Sequence, residues 1–378
     1  MKTEVKTAIV MAIVIIIGIG GANAYFSSLE VPKAPSNQNP PNTDSSASAI
    51  TKPSIISSID KSKFRKAPEL TGIAGYINTT PEELKAAMKD KVVLYDIWTY
   101  SCINCQRTLP YITAWNDKYA DQGLLIVGIH SPEFEFEKDY NNVKTAVEKF
   151  GIKYPVVLDN DHQTWDAFEN RYWPRKYIAD SEGYIRYDHI GEGGYAETEK
   201  IIQQLLEERG QTLGLKVAAA QPLVNLQEYQ FYASETPELY FGYKFSYGRS
   251  YLGNSEGFNP GQTVTYSLPS QLKQDNFYLE GQWQNLEDRM KLVSQTGKIV
   301  LPYFAKSVNI VAANESEIQI LLDGKLVTKD NAGADVQDGV AHISGDRLYN
   351  IISTNEASSH TLTIVAKPGF EIYTFTFG

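Results

Sequence analysis

Only two of the 378 residues are cysteine, Cys102 and Cys105. No third cysteine is left for a structural bridge elsewhere or for the second half of a zinc site, and His130, His162 and His189 do not stand at finger spacing. Neither a metal nor any other cofactor is expected. A purely structural bridge over so short a loop would constrain little of the unfolded chain. Surplus positive charge is also missing. Lys and Arg number 35 against 45 Asp and Glu, a formal charge of -10 at pH 7, which argues against nucleic acid as a main partner.

A long apolar run occurs once, at the start. Lys2 and Lys6 flank the beginning of residues 7–26, which are dominated by Ala, Ile, Val and Gly. With its Gly-rich end the run reaches roughly 20 residues, enough to span a bilayer. Ala22-Asn23-Ala24 also reads as a small-residue cleavage site. Residues 1–26 are therefore expected to be a single-pass membrane anchor, with a cleaved signal peptide as the alternative. In both cases the basic end stays inside and the rest of the chain lies on the extracytoplasmic side. Residues 27–63 are rich in Ser, Pro and Asn and cannot bury enough apolar surface to fold, so they read as a disordered linker.

The cysteines stand three positions apart in Trp98-Thr99-Tyr100-Ser101-Cys102-Ile103-Asn104-Cys105. An apolar, β-branched run, Val92–Trp98, leads into them. A helical pattern follows, with Leu109, Ile112, Trp115 and Tyr119 on one side and Pro110 expected to kink it. Strand, Cys-x-x-Cys, helix is a redox arrangement. The attacking species in disulfide exchange is a thiolate. A helix N-terminus aims unpaired N–H groups and the positive dipole end at the first sulfur. Cys102 is thus the expected attacking thiol, with Cys105 one turn deeper to resolve. Asp96, on the inward side of the strand, is either a general base for Cys105 with a raised pKa or a carboxylate satisfied by local hydrogen bonds. Trp98, Tyr100 and Trp173 form either an aromatic rim that meets substrate or part of the core. Pro174 precedes a hairpin at Asp180-Ser181-Glu182-Gly183, and X–Pro bonds are trans in all but about 5–6% of folded cases.

Residues 64–210 alternate strand and helix patterns, an α/β domain. Thr80 before Pro81 reads as a helix N-cap. Helical patterns at 142–150, 163–169 and 198–208 alternate with apolar runs at 124–129, 154–158, 175–179 and 184–189. His130, Glu133 and Glu192 fall in loops where open α/β sheets tend to place functional groups, while Glu137 and His162 read as ordinary loop residues.

These pieces resemble thioredoxin: Trp-x-x-x-Cys-x-x-Cys, an Asp six residues before the first Cys, a Pro eight after it, and a Pro before the terminal hairpin. Residues 98–111 (WTYSCINCQRTLPY), 127–133 (VGIHSPE), 170–177 (NRYWPRKY) and Gly191-Glu192-Gly193 resemble more closely the extracytoplasmic half of DipZ-type thiol-disulfide proteins, within the TlpA-like redoxins. The resemblance implies that Cys102 and Cys105 are the redox pair, Asp96 the buried acid, and Pro174 a cis-proline lying against Cys102. DipZ-type proteins carry a multi-span, electron-transporting membrane domain ahead of this part. With one apolar segment here, a separate, CcdA-like electron donor is expected. Thr99, three before Cys102, also matches the peroxiredoxin Thr-x-x-Cys, but Tyr95 stands where those proteins have Pro, and Arg171 and Arg175 are candidate arginines only by proximity.

After a linker at 211–227, residues 228–378 change texture to short strands with turn residues between them. Asp323-Gly324 is a strong hairpin signal, and residues 371–377 alternate cleanly. A jelly roll or β-sandwich is expected, and residues 235–240 (ETPELY), Gly281-Gln282-Trp283 and Asp323-Gly324 resemble the carbohydrate-binding-module-like domain of DipZ-type proteins. Tyr240, Tyr243, Tyr247, Tyr251 and Trp283 either offer faces to a sugar or belong to the core. The expected function is an anchored thiol-disulfide oxidoreductase that reduces or isomerises disulfides of exported proteins. The alternatives are a thiol peroxidase using Cys102, and a surface protein that binds glycan or a partner with the redoxin domain as scaffold.

Overall fold

The computed structural model describes residues 60–215, 222–229, 236–246 and 251–378. The expected anchor at 1–26 and nearly all of the linker at 27–63 lie outside these residues, as does Tyr247. Among the described residues no helix is long and apolar enough to cross a membrane.

The first region is a thioredoxin-like α/β fold. In chain order it runs β1 (Gly75–Ile77), α1 (Pro81–Ala87), β2 (Val92–Trp98), α2 (Ile103–Tyr119), β3 (Leu124–His130), α3 (Tyr140–Lys149), β4 (Val156–Leu158), α4 (Gln163–Ala167), β5 (Arg175–Ala179), β6 (Ile185–Ile190) and α5 (Tyr195–Leu213). The sheet order is β1-β4-β3-β2-β5-β6. β2, β3 and β4 are parallel, and the other pairings are antiparallel.

Local chemistry sets several boundaries. Thr80 caps α1 in a reciprocal pair with Glu83, and Pro81 fills the first turn, where its missing N–H is not needed. α2 continues through Pro110 as one helix. α5 runs past the predicted end and stops only at Gly214, whose φ of +66 ends it, so the linker begins later than residue 211.

β2 is buried on both faces, as a central parallel strand is. Val92, Leu94 and Trp98 share a core with α2, α3 and α5, while Val93, Tyr95 and Ile97 face a second core with Leu84, Trp165 and Phe168. The two-residue period puts Asp96 on the α2 side.

The second region is a large all-β domain. Its strands are β7 (Leu239–Tyr240), β8 (Thr263–Tyr266), β9 (Tyr278–Asn285), β10 (Met290–Leu292), β11 (Gly297–Ala313), β12 (Ser316–Leu322), β13 (Lys325–Leu326), β14 (Val336–Gln337), β15 (Val340–Ile343), β16 (Arg347–Ala366) and β17 (Glu371–Phe377). They form one sheet of 11 strands in the order β14-β15-β12-β16-β11-β17-β10-β9-β8, with β13 on β12 and β7 on β17. The first part of β11 pairs with β9 and its last part with β17, so the sheet folds back around Trp283, Tyr303, Ile310 and Phe375.

Two strands of this region are longer than the short strands expected. The apolar runs at 299–301 and 308–311 are parts of the single strand β11. Pro302 does not break it, because its backbone faces the side where the β9 ladder has ended and its carbonyl accepts from Asp275 N. The polar stretch 353–361 lies in the middle of β16, where Ser353 and residues 358–361 pair with β11 and residues 354–357 bulge at the register shift.

The two regions pack on each other. Phe134 joins Val311, Ala313, Leu348 and Tyr373 in one buried cluster, with Ile103 and Phe136 against it. The Phe134 and Tyr373 ring centroids are 5.0 Å apart. Tyr100 Oη donates to the Asp346 carbonyl at 3.0 Å, and Tyr240 Oη to Glu133 Oε1 at 2.7 Å. Phe134→Ala should cost about 3–5 kcal/mol. Scanning calorimetry is expected to show one unfolding transition in the native chain and two in the variant; an unchanged single transition would mean that the cluster does not couple the regions.

Candidate active site

The edge of the sheet where β2 ends is built by three chain segments. β2 delivers residues 99–102 to the start of α2. Cys102 is the N-cap, with φ −75 and ψ 119, and its Sγ accepts the Cys105 backbone N–H at 3.4 Å. Ile97 pairs with Arg175 across the ladder, which brings Trp173 and Pro174 to the same edge. The Trp173–Pro174 bond is cis. Gly191 N donates to the Pro174 carbonyl at 2.8 Å, tying in the Gly191-Glu192-Gly193 turn.

The two thiols differ. Both are free, Cys102 half-buried and Cys105 buried. Burial pushes the Cys105 thiol well up, and Cys102 and Asp96 add to this, while the Thr99 backbone opposes it. One sulfur is reachable and the other is screened beneath it.

Asp96 is 1% exposed and its Oδ1 has no hydrogen-bond partner. Burial pushes its pKa up to about 6, and Lys176 opposes the rise. Of the two expectations, the raised carboxyl fits and local satisfaction at Oδ1 does not. The turn before Cys102 is held by Glu137, a buried carboxylate that accepts from Ser101 Oγ at 2.6 Å, Ser101 N at 3.3 Å, Glu133 N at 2.6 Å and Phe134 N at 3.0 Å.

The aromatic rim is corrected in part. Trp98 is 0% and Tyr100 5% exposed, so neither offers a face to substrate. Both enclose His130, Trp98 edge-on at 5.3 Å and Tyr100 stacked at 5.7 Å. His130 is itself wholly buried, and burial pushes its pKa down to about 3, so it stays neutral. Trp173 is half-buried, its Nε1 donating to the Ser131 carbonyl at 2.9 Å and its ring against Trp165 at 4.3 Å. A cleft of about 630 Å³ opens between the two regions beside His162, whose ring lies 6.1 Å from Trp173.

The remaining candidates have partners within the chain. Glu133 accepts from Tyr240, and Glu192 pairs with Arg107 at 3.3 Å. Arg171 is engaged by Asp166 at 3.5 Å, and Arg175 donates from Nε to Asp188 at 3.2 Å. Trp283 is 0% exposed in the β-core, so it offers no stacking face for a sugar, and Tyr251 packs against the same core. No group of three or more His, Cys, Asp or Glu among the described residues could hold a metal. Sequence reasoning passed over Lys176, and it read Glu137 as an ordinary loop residue without its place in the turn before Cys102. Lys176 carried a signal: it sits two residues before Ile178 on the core-facing parity of β5.

The family model named Redoxin matches residues 65–206, and the one described as a thioredoxin-like C-terminal domain matches residues 236–378. The chain is 35% identical over 315 residues to Protein DipZ of Mycobacterium tuberculosis, covering 82% of this chain and 43% of that protein. It thus spans less than half the length of that relative. It is 35% identical over 143 residues to the thiol-disulfide oxidoreductase YkuV of Bacillus subtilis, covering 37% of this chain and 94% of that one. Thiol-disulfide oxidoreductase ResA of Halalkalibacterium halodurans is 25% identical over 120 residues, 32% of this chain and 63% of that one.

The buried Asp96 carboxyl has a sign that stability measurements can check. Its folded pKa is raised from 3.8 to about 6, so its contribution to stability is present below about pH 4 and lost as pH rises through about 6. Asp96→Asn, neutral throughout, is expected to be more stable than the native chain at pH 7 by roughly 3 kcal/mol. In urea unfolding the gain should vanish below about pH 4; a gain that is independent of pH would contradict the assignment.

Proposed function

We propose, for a chain that belongs to the redoxin family of thiol-disulfide oxidoreductases, that Cys102 and Cys105 are its exchanging pair and that it reduces or isomerises disulfides of exported proteins. The observation that carries this reading is the asymmetry of the two thiols: one half-buried at a helix N-cap, the other 1% exposed beneath it beside a buried carboxylate. Cys102 attacks a substrate disulfide and forms a mixed disulfide. Cys105 resolves it, with Asp96 taking the Cys105 proton. Pro174 and the half-buried Trp173, at the same sheet edge as the attacking sulfur, meet the substrate chain.

In this reading residues 1–26 anchor the chain, 27–63 tether it, and the catalytic region works on the extracytoplasmic side, fed with electrons by a separate membrane protein. Lys2, Lys6 and the apolar run that follows support the orientation. The all-β region, read as a jelly roll, braces the redoxin region through Phe134 and Tyr373. A peroxidase is disfavoured because Tyr95 stands where peroxiredoxins have Pro and Arg175 is held by Asp188.

Trapping tests the roles directly. Cys105→Ser should accumulate a mixed disulfide with a disulfide-bonded protein substrate, seen as a mass adduct on Cys102. Cys102→Ser should lower exchange by at least about a hundredfold and trap nothing, because the remaining thiol is screened. Adduct formation at Cys105 in Cys102→Ser, at the native rate, would reverse the assignment.

A further inference from the structure

Lys176 is out of keeping with its strand. It lies on the face of β5 that carries Ile178 into the core beneath α2, and it is 0% exposed. A buried ammonium is costly unless it is paired, so a lysine retained there calls for a partner. Nζ donates to the Gly191 carbonyl at 3.0 Å, a neutral acceptor. Directly across the ladder on β2 stands Asp96, whose Oδ1 has no hydrogen-bond partner. On its other flank Asp96 faces Gly128 of β3, which has no side chain to offer. The cation and the carboxylate are thus ladder neighbours whose charges oppose each other's burial penalty without forming a direct ion pair.

Other groups face this pair from each neighbouring element. From α2 comes Cys105, and from the turn after β6 comes Glu192. With Asp96, both favour the charged lysine against the opposing effect of burial. Glu192 is itself tied to Arg107. The Tyr195 ring of α5 lies 5.9 Å from Nζ, His189 is the ladder partner of Lys176 on β6, and the buried Tyr154 faces Asp96.

We propose that Lys176 is a positioning residue for the resolving step: the buried cation that faces Asp96 while the carboxylate is charged, and faces Cys105 once the proton has crossed. The inference rests on the reading of Cys102 and Cys105 as an exchanging pair. In the mixed disulfide, Cys105 carries S–H. Its proton passes to Asp96, directly or through one water. The Cys105 thiolate then attacks the Cys102 sulfur. The Cys102–Cys105 bond forms, the bond from Cys102 to the substrate sulfur breaks, and the substrate leaves as a thiolate that takes a proton from solvent. The protein pair loses two electrons and the substrate disulfide gains them. Asp96, Lys176 and Cys105 together carry no net charge before or after the transfer. Without Lys176 the same transfer would run with an uncompensated negative charge in a buried site. Burial would then hold Asp96 protonated and unable to accept.

The test uses the full chain and dithiobis(nitrobenzoate), which releases one chromophoric thiolate when Cys102 attacks and a second when Cys105 resolves. In the native chain the second phase should rise with pH through about 6, the Asp96 value. Lys176→Met should move that midpoint up by about one pH unit or more and slow the second phase about tenfold below it, leaving the first phase unchanged. Lys176→Gln keeps a donor for Gly191 without the charge and should behave as Met does. In an Asp96→Asn background neither substitution should alter the pH profile further. Variants that lose stability yet keep the native midpoint would overturn the proposal and leave Lys176 a packing residue. A native chain that releases no second thiolate would sink the exchange reading itself, a different result from either.

Discussion

The contact from Cys105 N–H to Cys102 Sγ, 3.4 Å long, is where strand, turn and helix converge. It exists because β2 ends at Trp98 and α2 begins at Ile103, leaving four residues to turn the chain and place a sulfur over the open N–H groups of a helix. Much of the surrounding polar chemistry serves that junction. Glu137 holds Ser101 in place from below, and Gln106 Nε2 donates back to the Tyr100 carbonyl at 2.8 Å. Helix geometry then puts Cys105 one turn along, buried against the carboxylate of β2.

The charge beneath the pair follows from the pleat. Asp96 and Lys176 occupy core-facing positions of two adjacent antiparallel strands, so each removes from the other part of the penalty of burial. An all-apolar core would be simpler to fold. An ionisable core places a proton acceptor and a counter-charge where a buried thiol has to lose its proton. His130, equally buried and held neutral between two aromatic rings, shows that burial alone does not make a site; a partner that changes charge is needed.

Much of this was legible in the chain. Cys-x-x-Cys after an apolar strand, Thr80-Pro81 at a helix start and Asp323-Gly324 at a hairpin are short-range signals with one physical meaning each, and the structure places an element at each. What sequence could not give was three-dimensional. Trp98 and Tyr100 could be read as rim or as core, and the choice was made by His130, brought alongside by the parallel pairing of β2 and β3. β16 hid its length because 353–361 is almost wholly polar, and its strand identity comes from β11 pairing at Ser353 and 358–361, on either side of a bulge. Contact between Ile103, inside the redox motif, and the β-domain cluster is between residues far apart in sequence, and no local pattern carries it.

The account stands on Cys102 and Cys105 acting as one two-electron couple. The direct measurement is an equilibrium titration of the full chain against reduced and oxidised dithiothreitol, with the Cys102–Cys105 disulfide read by alkylation and mass. The account predicts a single reversible transition at a low potential, in the neighbourhood of roughly −270 mV as for thioredoxin. A pair that does not exchange with the dithiol while the chain remains folded would contradict it.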